Sequence, residues 1–179
     1  MNRYDEVSKL LQTISANDAT KRNQAIRQIG LLLEKHSAGT DRLSTYEVLL
    51  SSHLLPLLLD EAEKAEIVIA LGKLLLDSEE PDPGLLWALG KASAPVALPV
   101  VLQWLSGYSS RADENVLRQA LIALDNFTTL DEDDKLPEAV QQLLLEHKLK
   151  AILMQLSEQN HPRLARLVQT LLARIEVSG

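Results

Sequence analysis

Apolar side chains recur at helical spacing almost from one end of this chain to the other. The last stripe is the clearest. Leu164, Leu167, Val168, Leu171, Leu172 and Ile175 stand at i, i+3, i+4, i+7, i+8 and i+11, which places all six on one side of a helix. Pro162 falls in its first turn, where a missing N–H costs little, and Asn160 is placed to cap it. Such a helix is stable only when its stripe docks on a neighbour. Leucine supplies most of the pattern, at 38 of 179 positions, beside 7 Gly, 7 Pro and no Cys. With strand formers scarce, the expected class is all-α.

The pattern also repeats. Leu55-Pro56-Leu57-Leu58-Leu59 matches Leu98-Pro99-Val100-Val101-Leu102, and Leu149-Lys150-Ala151-Ile152-Leu153 fits the same frame. Ser8-Lys9-Leu10-Leu11 fits it more loosely. A second apolar segment follows each, over residues 26–33, 68–76, 120–127 and 168–175. Within these, Gln28-Ile29-Gly30, Ala70-Leu71-Gly72 and Ala123-Leu124-Asp125 align. Leu86-Trp87-Ala88-Leu89-Gly90-Lys91 repeats the Ala-Leu-Gly-Lys of residues 70–73 and reads as an extra short helix. Recurrence at this period means stacked units that share one core.

The paired pattern, Leu-Pro-x-Leu-Leu in a first helix and Ala-Leu-Gly-Lys or Ala-Leu-Asp-Asn in a second, resembles HEAT and armadillo repeats. The resemblance implies a right-handed α-solenoid of about four helix pairs. One domain would span residues 1–179, with units near 5–38, 42–92, 94–130 and 136–177. Residues 86–102 also resemble the short HEAT-like units of phycobilin lyases, which implies a second class of function, the handling of a small ligand or chromophore.

Within that frame, Pro56 and Pro99 open or kink first helices. The segment 61–76 is apolar on nearly all sides in its second half, as expected of a helix buried in a middle unit. Gly30 and Gly72 mark close helix packing. Asp77-Ser78-Glu79-Glu80-Pro81-Asp82-Pro83, the stretch near Gly107 and Tyr108, and Thr128-Thr129-Leu130-Asp131-Glu132-Asp133-Asp134 read as loops.

The search for chemistry finds no catalytic signature. Without Cys there is no thiol nucleophile, Cys-ligated metal or disulfide scaffold. His36, His53, His147 and His161 include no pair at i, i+4. A single Glu-x-x-His, Glu158 to His161, straddles a turn. The acidic run 131–134 lacks the Gly and Glu that a calcium loop needs at its sixth and twelfth positions, where Leu136 and Gln142 stand. No Gly-rich phosphate cradle and no nucleophile elbow occur. No cofactor, metal or enzymatic activity is expected. The net charge of -7 disfavours nucleic acid and anionic membranes. No apolar run reaches the roughly 18 residues of a membrane span. A cytoplasmic protein is the expectation.

A partner surface remains. Around residues 115–127, at about 100° per residue, Val116, Leu117, Ala120, Leu121, Ala123, Leu124 and Phe127 fill an arc of about 160°. Asn115, Arg118, Gln119, Ile122 and Asn126 lie opposite, within about 100° of one another. Armadillo proteins hold an extended peptide backbone with an Asn near this point of the helix, and the resemblance carries that role to Asn126. The last helix offers Arg163, Arg166, Gln169, Thr170 and Arg174, a stripe suited to carboxylates because Arg pairs bidentately. Trp104 and Tyr108 are expected to pack at the core or its rim rather than to act as hot spots for a partner. The reading is a protein-interaction module that binds a protein or peptide, acidic in character, on a concave polar surface. The alternatives are a small-ligand accessory protein and, further off, a nucleic-acid binder using Arg163, Arg166 and Arg174.

Overall fold

The computed structural model describes residues 3–37, 49–107, 113–130, 135–159 and 161–177. Among them every regular element is an α-helix. In chain order they are α1 (Arg3–Ile14), α2 (Ala19–Ser37), α3 (Glu61–Asp77), α4 (Pro83–Leu89), α5 (Ala94–Ser106), α6 (Glu114–Phe127), α7 (Glu138–Glu146), α8 (Leu149–Glu158) and α9 (Ala165–Val177). The chain is all-α.

Short polar residues fix several helix starts by supplying acceptors to backbone N–H groups that lack a helical partner. Asp60 and Glu63 form a capping box at α3, with reciprocal bonds of 2.9 and 2.8 Å. The Asp82 carboxylate accepts from the Gly84 N–H at 2.7 Å, and Asp113 accepts from Asn115 at 2.6 Å. Asn160, expected to cap the last helix, lies outside the described residues, as do Tyr108 and the acidic run 131–134. Pro162 sits in a turn just before α9, where the His161 carbonyl accepts from Leu164 and Ala165.

The helices pack in two rows. α1, α3 and α5 touch in succession, and α5 continues to α7 and α8. α2, α4, α6 and α9 touch in succession in the second row. Rungs join α1 to α2, α3 to α4, α5 to α6 and α8 to α9. The core runs between the rows and includes Leu71, Leu75, Leu86, Leu89, Leu98, Leu117 and Leu121, all at 0% exposure.

This arrangement revises three expectations. Ala70-Leu71-Gly72 belongs to α3, in the first row, whereas Gln28-Ile29-Gly30 and Ala123-Leu124-Asp125 belong to the second. The second-row helix between them is α4, the short piece that looked surplus, with its Ala88-Leu89-Gly90. Pro99 does lie inside a helix, but Pro56 does not: it ends a series of turns over residues 52–56. α2 stabilises that non-helical backbone. Gln28 donates to the Leu49 carbonyl at 3.2 Å and accepts from the Ser51 N–H at 2.8 Å. Lys35 donates to the carbonyls of Leu55 and Leu57. Finally, α3 is not buried on all sides. Ile67, Val68, Leu71, Gly72 and Leu75 are buried, but Ile69 is 70% exposed and Leu76 is exposed too. α3 packs against α1, α4 and α5, and one side is left to solvent.

The expected close packing at glycines holds. A Cβ on Gly30 would strike the Trp87 ring, and one on Gly72 would come within 2.8 Å of Val100 Cγ1. A Cβ on Gly90 would stand 3.0 Å from Ala123 Cβ and 3.1 Å from its Cα.

Candidate functional site

α6 divides as its sequence implies. Val116, Leu117, Ala120, Leu121, Ala123, Leu124 and Phe127 are all buried. On the other side Asn115, Arg118 and Asn126 are exposed, while Gln119 and Ile122 are half-buried. The centre of the ridge is therefore partly covered.

The two ends of the ridge sit in different surroundings. Asn115 lines a cleft of about 480 Å³ whose wall includes Glu79, Glu80 and Asp113. A smaller cleft shares Glu80 and Pro83 with it and reaches Arg22, and a third shares Asp82 and Ile26 with that second one and carries the wall on to Arg27 and Trp87. Together they follow the N-terminal ends of α4 and α6 and the first half of α2. Charge along this groove changes from acidic at α6 to mixed at α2.

The C-terminal ends of the second-row helices are joined by polar ties. The Lys91 ammonium, just past α4, pairs with Glu34 of α2 at 2.8 Å and sits 5.5 Å from the centre of the Trp87 ring. The Asn126 amide of α6 donates to the Gly90 carbonyl at 3.2 Å. Arg174 of α9 pairs with Asp125 at 2.8 Å, and donates to the Asp125 carbonyl at 3.0 Å and to Thr128 Oγ1 at 3.3 Å. Helix C-termini leave carbonyls without an intrahelical donor, and two of these side chains supply donors from the next helix. Asn126 thus holds a backbone carbonyl of its own chain through its amide nitrogen. Arg174, expected on the open stripe of the last helix, is half-buried against α6.

Arg163, in the turn before α9, and Arg166 and Gln169, in its first two turns, are exposed. Thr170 is half-buried and its hydroxyl donates to the Arg166 carbonyl at 2.9 Å. Of this stripe, Arg174 is what reaches α6. The structure thus brings the last helix against the ridge at their C-terminal ends. Trp104 is buried in the core.

Sequence reasoning passed over Trp87, Glu34 and Lys91. The signal was present in the repeated Ala-Leu-Gly-Lys of residues 88–91, once α4 is placed in the second row beside α2. Among the described residues, no group of three or more His, Asp or Glu side chains is placed to hold a metal ion. No described helix is long and apolar enough to cross a membrane.

Neither a protein-family model nor a curated protein matches the sequence. Among solved structures, the chain is similar to a crystal structure of an engineered protein from the Northeast Structural Genomics Consortium. The identity is 16%, the match covers 100% of this chain and 98% of that one, and the TM-score is 0.36. A likeness at that score carries no argument about fold or function.

Proposed function

We propose that the chain is a right-handed α-solenoid of about four HEAT/armadillo-like helix pairs, and that it works as a protein-interaction module without catalysis of its own. The observation that carries this reading is the ladder of two helix rows joined by rungs. Stacked pairs of this kind present extended surfaces that suit protein partners. The second row is the partner face. Asn115 and Arg118 on α6, with Arg163, Arg166 and Gln169 at α9, offer exposed hydrogen-bonding and cationic groups. Arg forks bind carboxylates in pairs, so the segment of the partner that meets α9 is acidic. Asn126 and Arg174 contribute by holding the helices in register. A cytoplasmic setting belongs to the same proposal, since a chain without Cys suits a reducing compartment.

Affinity capture from the native cell tests the reading. Wild type is compared with Arg118→Glu/Asn115→Ala and with Arg163→Glu/Arg166→Glu, after circular dichroism shows equal helicity. The expected result is one protein recovered in stoichiometric amount by wild type and lost by both variants. Equal recovery by all three, or no stoichiometric partner for wild type, overturns the proposal.

A further inference from the structure

The far end of the chain carries a feature that the partner face does not use. Beside α7, α8 and α9 lies an apolar cleft of about 310 Å³. Leu136, Leu144, Leu145 and Ile175 form most of its wall, and Gln141, Lys148 and Lys150 complete it. Leu145 is 76% exposed, the most exposed large apolar side chain among the described residues. Gln141 is engaged, donating to the Leu136 carbonyl at 2.7 Å. Both formal charges in the lining are therefore positive. Glu176 pairs with Lys150 at 3.1 Å from outside the lining, but an ammonium has three donors.

Lys148 adds a second observation. It forms the corner between α7 and α8 with φ 52° and ψ 39°. Among the described residues, no other non-glycine has positive φ. Glycine, or Asn, takes that conformation far more readily than a lysine. That conformation ends α7 and turns the chain into α8, and because lysine rather than glycine holds it, a cationic side chain stands in the cleft wall.

We propose that this cleft binds a single-chain anionic amphiphile of the alkyl carboxylate class. The alkyl chain lies against Leu136, Leu144, Leu145 and Ile175, and the carboxylate sits by Lys148 and Lys150. The volume is at the small end of ligand pockets, which begin at about 300 Å³, so it accepts one chain of medium length and not a diacyl lipid. The cleft shares α9 with the second row through Ile175 but none of the proposed partner residues, so either site can fail without the other.

The test uses the full chain and sodium decanoate below its micelle concentration, followed by calorimetry and by displacement of the anionic probe 1-anilinonaphthalene-8-sulfonate. The expected result is saturable one-site binding of decanoate, with decanol and decyltrimethylammonium binding at least tenfold more weakly. Lys148→Gly and Lys150→Gln should each lower affinity about tenfold, the effect of losing one charge-assisted contact. Lys148→Gly also relieves the backbone, so its melting temperature stays at or above that of wild type and its loss of affinity cannot be misfolding. Leu145→Asp should weaken binding as well. The proposal is overturned by absence of saturable binding, by equal affinity for decanol, or by unchanged affinity in the two lysine variants. A dimer that decanoate does not disturb and Leu145→Asp dissolves would also overturn it, by making a second copy the occupant.

Discussion

Where α3 meets α5 in the first row, Val100 presses on Gly72, and the outward side of α3 shows Ile69 to solvent. Where α4 meets α6 in the second row, Ala123 presses on Gly90, and a few ångströms away the Asn126 amide bonds the Gly90 carbonyl. The two rows share close contact at a glycine. The second adds a polar tie at each junction: Glu34 to Lys91, Gly90 to Asn126, and Asp125 and Thr128 to Arg174. The difference teaches how to read polar residues on stacked helices. An Asn or Arg on an outward stripe is a partner candidate only after the helix ends beside it have found their donors. By that measure Arg118, Arg163 and Arg166 remain available to a partner, while Arg174 is committed.

The comparison can be broken most severely through the core. Leu89→Ala, at a site with 0% exposure, should cost about 2–5 kcal/mol in a denaturant melt. Ile69→Ala should change stability by less than about 0.5 kcal/mol. An equal cost at both positions would mean that the outward side of α3 is covered. Next, Gly90→Ala should cost about 1–3 kcal/mol, because the Ala123 Cα cannot rotate away from the added methyl. Combining it with Ala123→Gly should recover part of that loss, and strict additivity would show that the two do not touch.

Smaller effects sharpen the polar side of the comparison. Arg174→Ala should cost about 1 kcal/mol, since the pair with Asp125 is partly exposed and its backbone bonds add to it. A double-mutant cycle with Asp125→Ala should return a coupling of about 0.5 kcal/mol or more, and zero coupling would remove the tie. Asn126→Ala should cost about 0.5–1 kcal/mol. At the other sign, Lys148→Gly should raise stability by about 0.5 kcal/mol. The left-handed backbone favours glycine, and the added freedom of the unfolded chain offsets part of the gain.

Much of this is legible in the sequence. The burial pattern of α6 follows from its own 14 residues, because apolar spacing alone decides which side of an amphipathic helix turns inward. α3 misled because a run of Ile67, Val68, Ile69, Ala70 and Leu71 carries no angular information when nearly every position is apolar. Only the number of neighbours decides which of them is buried. α4 was underread because seven residues are too few to show a period. The ties were illegible for a different reason. Asn126 and Gly90 lie 36 residues apart, and Arg174 and Asp125 lie 49 apart, so their meeting depends on how the rows stack. The non-helical course of Pro56 likewise rests on Gln28 and Lys35, far back in α2.

The central claim is that the second row is the face a protein partner uses. Hydrogen–deuterium exchange of the captured complex, set against the free chain, tests it most directly. The account predicts added protection in the first turns of α6 and α9, around Arg118 and Arg166, with the segment of α3 around Ile69 unchanged. Protection centred on Ile69 and Leu76, with α6 and α9 exchanging as in the free chain, would place the partner on the first row and contradict the account.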